Sequence, residues 1–483
     1  MRSRPIEHHT LLFRFCGAML LAGALIAYLA YRQRYIGACD WFGYFELGRL
    51  LRQGKVFLES PLSIQTYPSL VPLGFVADGA HAVPQYPPGY PLLLAIAGWF
   101  GGALIVTPLI GVVSIVLIFQ AAREYAERWI ALAVAAMWAF FPIVVFGSTT
   151  VMSDLVAAVP VLAAYTLYRR GWLRSSALLL GCSLWVRPTN ALYAIVFAGL
   201  LLRDRQLLRY VLWTLPTVAP YAAYNQFLYG AAWRTGYGSI AYDLTSTVFW
   251  PHLGFYLRHT AIYLGPLVPF VVLGLRRGRR SEIAFLVAWA SAFVLFFSFW
   301  RSGGDVWWWT RFLLPGTAPL FLLASNGLQQ SADWLRRWRD TPAMRRTAIA
   351  ALATMVGSTI LYQISLGLST HDLWTRNKGR AYHDVVCTTD AIVPAGAFVG
   401  SVEFAGAFLV YGRSTPFLSC HGNAATLVDD LLARDQPVFL IVEPWNREHP
   451  TIKPLLTTHS SELVHEMQLW GGVKFYRLGP RRP

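Results

Sequence analysis

An α-helical polytopic membrane protein of about eleven spans, followed by a soluble C-terminal α/β domain, is the fold class this sequence predicts, on three observations. Of its 483 residues 55% are hydrophobic and only 14% are charged, too apolar a balance for two or three soluble domains. Runs such as 131–146, 155–168 and 283–299 carry no interior charge and approach the ~20 apolar residues that cross hydrocarbon. Basic residues, finally, recur in alternate gaps between these runs, as they do in loops retained in the cytoplasm.

The gaps assigned to the cytoplasm hold Arg2, Arg4 and Arg14; Arg123 and Arg128; Arg169, Arg170 and Arg174; Arg203, Arg205 and Arg209; Arg276 to Arg280; and Arg336 to Arg346. Isolated acids occupy the gaps between: Asp40, Glu46, Glu59 and Asp78, then Asp154, Asp243 and Asp305. Spans beginning near residues 12, 104, 129, 154, 174, 191, 210, 260, 283, 311 and 347 satisfy this alternation. They place the N-terminus in the cytoplasm and the C-terminus on the external, periplasmic side of a plasma (inner) membrane. The stretch 86–102 then reads as an interfacial or re-entrant piece before a single span, because two crossings there would turn every later arginine cluster outward. The first external loop, about 32–103, breaks the charge rule with Arg32, Arg34, Arg49, Arg52 and Lys55. A net charge of +16 distributed in this way points to membrane topology and not to nucleic acid. The first apolar stretch lacks a small-residue cleavage site and reads as a retained span.

Residues 1–369 thus form the membrane module and 370–483 the external domain. In the latter, β-rich runs at 397–402 and 437–442 alternate with a helical stretch at 424–434, and 463–469 and 473–478 read as a hairpin about Gly471-Gly472. Cys16 and Cys182 fall in spans; Cys387 and Cys420 fall in the external domain, either paired or as two free thiols.

The first loop is the most informative segment. Over CDWFGYFELGRLLRQG, Trp41, Tyr44, Phe45, Gly48 and Leu51 share one helical face and Glu46, Arg49 and Gln53 another, so the helix is expected to lie flat on the membrane, apolar side down. Asp40 stands at its start, either as a helix cap or as a general base at the lipid–water boundary. The loop closes with QYPPGYP, whose Tyr86 and Tyr90 suit headgroup depth.

An external Asp followed by a Gly-Arg-x-Leu-x-x-Gly helix and a Tyr-Pro-Pro-x-Tyr-Pro segment resembles the GT-C fold membrane glycosyltransferases, in particular the protein O-mannosyltransferase and aminoarabinose-transferase branch (glycosyltransferase family 39-like). STTVMSD ending at Asp154, Arg187-Pro188-Thr189, the segment 225–237, and Arg311-Phe312-Leu313-Leu314-Pro315 with Pro319 resemble further family segments in the same order. One departure is Trp41 after Asp40, where many relatives carry adjacent Asp-Glu. A divalent cation serves some members; Asp40, Asp154, His252 and His259 are candidate ligands, but no spacing here forms a dedicated metal site.

The resemblance implies a polyprenyl-phosphate-linked sugar donor, an acceptor glycan, lipid or protein, and inverting transfer at the outer face. Asp40 would be the base, Asp154 would orient acceptor or base, and Arg311, Arg187 and Arg301 would hold the donor phosphate. Arginine stays charged and binds phosphate bidentately, although at a span end it also snorkels to headgroups. Tyr44, Tyr86, Tyr90, Trp308, Trp309 and Asp305 would line a substrate or lipid groove, although aromatic belts account for such rings as well. An oligosaccharide ligase or polymerase is the near rival. A secondary transporter is disfavoured, because no acid falls inside a predicted span.

Overall fold

The computed structural model describes residues 4–60, 62–238, 243–276, 278–304, 306–337, 342–370, 379–412, 416–417 and 424–482. Asp305, Arg277 and Cys420, and with the last the proposed partner of Cys387, lie outside them.

Helices dominate, and they follow the apolar runs. Helix α1 spans Arg4–Tyr31, α2 Cys39–Arg52, α3 Gly89–Trp99 and α4 Val106–Ala122; a short hairpin of β1, Phe75–Asp78, and β2, His81–Pro84, lies between α2 and α3. Next come α5 (Arg128–Phe140), α6 (Pro142–Thr149), α7 (Ser153–Arg169), α8 (Leu173–Val186), α9 (Ala191–Arg203) and α10 (Leu207–Tyr229). Then follow α11 (Phe249–Leu264), α12 (Val268–Gly274), α13 (Arg280–Ser298), α14 (Leu314–Arg337) and α15 (Pro342–Thr370).

Among the described residues, four segments are long and apolar enough to cross a membrane: Thr10–Tyr31, Ala103–Ala122, Ser246–Gly274 and Arg280–Ser298. A fifth is the pair α5 and α6, bent by 60°. The bend has a local cause, since Pro142 lacks an N–H and its ring keeps Phe141 in extended backbone (φ −59°, ψ 126°). Leu173–Val186 and Pro188–Arg203 are apolar but individually shorter, as is α3, whose 11 residues reach only ~16 Å. Side chains such as Leu12, Phe15, Ile26, Ile195 and Leu361 are exposed, as lipid-facing positions are in an integral membrane protein.

By its contacts the chain divides into two units. The first comprises Met1–Arg32, Ile105–Tyr221 and Ser239–Arg376, built on a core that includes Trp138, Phe141, Tyr193, Trp289 and Phe321. The second comprises Gln33–Leu104, Ala222–Gly238 and Asn377–Pro483.

In the second unit a five-stranded sheet runs in the order β4-β3-β5-β7-β6 (β3 Phe398–Gly400, β4 Pro416–Phe417, β5 Val438–Val442, β6 His459–Met467, β7 Val473–Arg481). The β3 strand is parallel to β4 and β5, whereas β7 is antiparallel to β5 and β6. Helices α16 (Arg380–Ile392), α17 (Ala405–Val410), α18 (Ala425–Ala433) and α19 (Ile452–Thr458) connect the strands. The β6–β7 turn passes through Gly471 and Gly472, both at positive φ, where the expected hairpin places it.

Residues from both ends of the chain share one core here. Leu58, Ile64, Leu70, Val71 and Phe75 of the first loop pack with Phe398, Leu427, Val428, Leu440 and Leu478.

The expectation that α2 lies flat on a membrane is corrected. Trp41, Phe42, Gly43, Tyr44, Glu46, Leu47, Gly48 and Leu50 are all buried, so the helix is enclosed on most of its circumference. Two glycines allow this: a Cβ at Gly48 would meet Pro91 O and Leu94 Cβ at 3.1 Å, and one at Gly43 would stand 2.2 Å from Tyr86. The buried Glu46 is matched by Arg49 through two contacts, Nε–Oε2 at 2.9 Å and NH2–Oε1 at 2.6 Å. The helix ends in a Schellman turn, in which Gly54 (φ 71°) bonds Leu51 O and Lys55 bonds Leu50 O.

Candidate active site

In the first unit, Asp154 opens α7, a favourable place for a carboxylate because the helix dipole is positive there. It is 1% exposed, and two distant arginines close on it. Arg187 follows α8, where Pro188 forces extended backbone (φ −150°, ψ 116°) and ends the helix; its NH1 lies 2.7 Å from Asp154 Oδ1. Arg311 sits in the 3-10 turn Trp307–Leu313, with Nε 3.5 Å from Asp154 Oδ2. Both arginines are buried, and both guanidiniums face the ring of Phe312, at 4.8 Å and 4.7 Å from its centroid. Arg311 also lies 5.1 Å from the Trp309 centroid and donates to Trp308 O at 3.3 Å. One carboxylate thus gathers two guanidiniums that would otherwise repel, in a setting where charge is expensive to bury.

An apolar groove of about 430 Å³ opens in the same unit. It is lined by Leu253, Leu257, Leu264, Val271, Val294 and Leu313 among others, the last in the same turn as Arg311. A groove of hydrocarbon character and a guanidinium pair suit the two ends of a lipid phosphate.

In the second unit, Asp40 lies in the first turn of α2, two residues past the N-cap position, which Ala38 occupies without a side-chain hydrogen bond. Its carboxylate instead accepts a hydrogen bond from Tyr86 Oη at 2.7 Å. Burial, then the neighbouring Asp40, pushes the Tyr86 hydroxyl well above its ordinary pKa, so it remains a donor at any physiological pH. Tyr44 packs on Tyr86 at 4.5 Å and on Tyr90 at 5.2 Å, and Tyr237 meets Tyr86 at 5.9 Å. Cys39 Sγ is 3.7 Å from Tyr86 Oη. Tyr237 arrives through the segment after α10, which is fixed by Tyr229 Oη donating to Pro84 O at 2.8 Å and by Gly236 against Pro84 and Gln85.

By sequence, no family model and no curated protein matches the chain. Solved structures do. ArnT from Cupriavidus metallidurans bound to undecaprenyl phosphate superposes with a TM-score of 0.60 at 16% identity, covering 95% of this chain and 97% of that one. The Archaeoglobus fulgidus oligosaccharyltransferase in its apo form gives a TM-score of 0.57 at 12% identity over 92% and 73%. For the mycobacterial arabinofuranosyltransferase AftD the TM-score is 0.55 at 14% identity over 96% and 40%. The chain has the GT-C fold. At such identities the likeness concerns the fold, and the side chains must carry the chemistry.

Within this GT-C framework the residues singled out from sequence fall into two groups. Asp154, Arg187, Arg311 and Trp309 assemble in one unit, and Asp40, Tyr44, Tyr86 and Tyr90 in the other. Arg301 is exposed after α13, its backbone N–H donating to Asp243 O at 2.6 Å. Trp308 is 41% exposed, and Asp305 lies outside the described residues. Among the described residues no group of three His, Cys, Asp or Glu is placed to hold a metal. His252 is buried under Gly304, and His259 Nδ1 is 2.9 Å from Phe255 O. Sequence reasoning missed Phe312 and Tyr237; the former stood inside the Arg311 motif, and its position between two charged residues distant in sequence was the information lacking.

Proposed function

We propose that the chain is a membrane glycosyltransferase that moves a sugar from a polyprenyl-phosphate donor to an acceptor at the outer face of the plasma (inner) membrane, inverting the anomeric centre. The observation that carries this reading is the buried Arg187–Asp154–Arg311 cluster in the same unit as an apolar groove. As the sugar departs, negative charge grows on the phosphate, and guanidiniums already gathered meet it without reorganisation. Asp154 then serves as the counter-charge that holds the arginines, a positioning role in place of contact with acceptor or base. Asp40, oriented by Tyr86, accepts the proton of the attacking hydroxyl or amine as its lone pair forms the new C–O or C–N bond and the C–O bond to phosphate breaks. Arg301 supplies positive charge nearer solvent. The fold neighbour holding undecaprenyl phosphate supports the donor class. Eleven crossings, with the N-terminus in the cytoplasm and residues 370–483 external, complete the reading.

The test is a purified full-length chain given a panel of radiolabelled polyprenyl-phosphate sugars. Turnover or slow hydrolysis of one donor is expected, abolished by Asp40→Asn and strongly reduced by Arg311→Lys, which keeps the charge but loses the planar fork. Full activity in Asp40→Asn, in a folded preparation, would remove the base from the scheme.

A further inference from the structure

A second constellation in the unit that holds Asp40 is not used by this chemistry. Trp445 and Trp470 are 53% and 40% exposed, with ring centroids 5.5 Å apart and planes inclined by 46°. Trp470 stacks on Phe404 at 5.6 Å and 9°, and Tyr382 meets both rings edge-on at 5.4 Å. Trp470 adopts left-handed backbone (φ 54°), unfavourable for a residue with a bulky side chain, as part of the β6–β7 turn.

Two acids adjoin these rings in the chain, Glu403 before Phe404 and Glu443 two residues before Trp445. Glu443 is fully buried, accepting from Asn446 Nδ2 at 3.1 Å and from Ser401 Oγ at 3.4 Å; Glu403 is half-buried. Desolvation raises both carboxyl groups, Glu443 to about 7 with Glu403 adding to the effect, and burial first, then the two acids, hold the Tyr382 hydroxyl high. The cluster runs on to α2, since Tyr382 packs at 5.5 Å on Phe42, two residues after Asp40.

We propose that Trp445 and Trp470, with the half-buried Glu403 beside Phe404, form a subsite for a sugar ring of the acceptor, making the acceptor a glycan or the saccharide headgroup of a glycolipid. A pyranose has an apolar C–H face suited to an indole and an edge of hydroxyls suited to a carboxyl oxygen; the exposed indoles offer the first and the partly exposed Glu403 the second, while the buried Glu443 lies behind them. An anionic lipid surface would meet Glu403 unfavourably, so the rings are not read as a headgroup belt. The inference rests on the transferase reading and deepens it by naming the acceptor class.

The experiment is saturation-transfer NMR on the detergent-solubilised full chain with millimolar chitobiose, cellobiose, mannobiose and galactobiose. At least one disaccharide should bind, and Trp445→Ala should weaken it about tenfold or more. Trp445 is over half exposed, so its removal leaves the fold in place; Trp445→Tyr should restore much of the binding. Asp40→Asn should bind as the wild type does, because binding is read without turnover. Wild type and Trp445→Ala indistinguishable toward every disaccharide would overturn the subsite whatever the transfer activity of the preparations.

Discussion

Replacing Gly43 by alanine tests how closely the Asp40 site depends on backbone contact. The new methyl would lie 2.2 Å from Tyr86 Cε2 and 2.5 Å from Cδ2, with Gly74 Cα 3.2 Å away on another side. Ordinary contact begins near 3.4 Å, so the Tyr86 ring must retreat by about 1.2 Å. The ring is fully enclosed between Tyr44 and Tyr237, and the retreat is paid in strain of ~1–3 kcal/mol. It also draws the hydroxyl from Asp40, whose 2.7 Å hydrogen bond does not survive a displacement of that size. A hydrogen bond to a charged group contributes ~1.5–3 kcal/mol, and misplacing a catalytic group by 1 Å costs on the order of 10²-fold in rate. The assay is transfer from a radiolabelled polyprenyl-phosphate sugar, with the thermal midpoint of the purified protein in parallel. Gly43→Ala should lower both; Tyr86→Phe, which omits the clash, should lower the rate with a smaller loss of stability. A Gly43→Ala protein within about twofold of wild type in rate, with an unchanged midpoint, would refute the dependence of Asp40 on Tyr86.

Asp154→Asn leaves two buried guanidiniums without their shared carboxylate and should destabilise the protein by ~3–5 kcal/mol, read as a lower thermal midpoint; an unchanged midpoint would show that Asp154 is not their counter-charge. Glu443 has its folded pKa raised by burial from 4.5 to about 7, so the folded state binds the extra proton and stability falls as pH rises through that interval, by at most ~3 kcal/mol. Glu443→Gln should abolish that component, and parallel midpoint-versus-pH curves for the two proteins would contradict it. Leu70→Ala in the first loop and Leu427→Ala in α18 should each cost ~2–5 kcal/mol and shift the same unfolding transition, because both side chains belong to one core. Two transitions, each moved by only one of these variants, would separate the loop from the sheet.

Several parts of this molecule were legible without coordinates because they depend on local rules. The strands at 398–400 and 438–442 and the helix at 425–433 lie inside the runs read from alternation and turn residues. Arg187 and Asp154 were singled out by the resemblance of Arg187-Pro188-Thr189 and STTVMSD to family segments, and each stands at a helix boundary, Arg187 after α8 and Asp154 in the first turn of α7. The membrane character follows from counting apolar residues against the thickness of hydrocarbon. The face presented by α2 was not legible: an amphipathic stripe is the same whether its partner is lipid or protein, and only Gly43, Gly48 and the close approach of Tyr86 and Pro91 show that it is protein.

Sequence by itself therefore determined what each short stretch prefers: which runs are apolar, which helices stop at prolines, and which residue types are suited to phosphate or proton chemistry. Only the tertiary structure decided which stretches meet. Arg187 and Arg311 converge on Asp154, the second across more than a hundred residues, and the first loop completes the core of a sheet formed more than three hundred residues later. The physical reason is that propensity and periodicity act over a few residues, whereas burying a charge or an apolar surface requires partners the chain supplies from anywhere along its length.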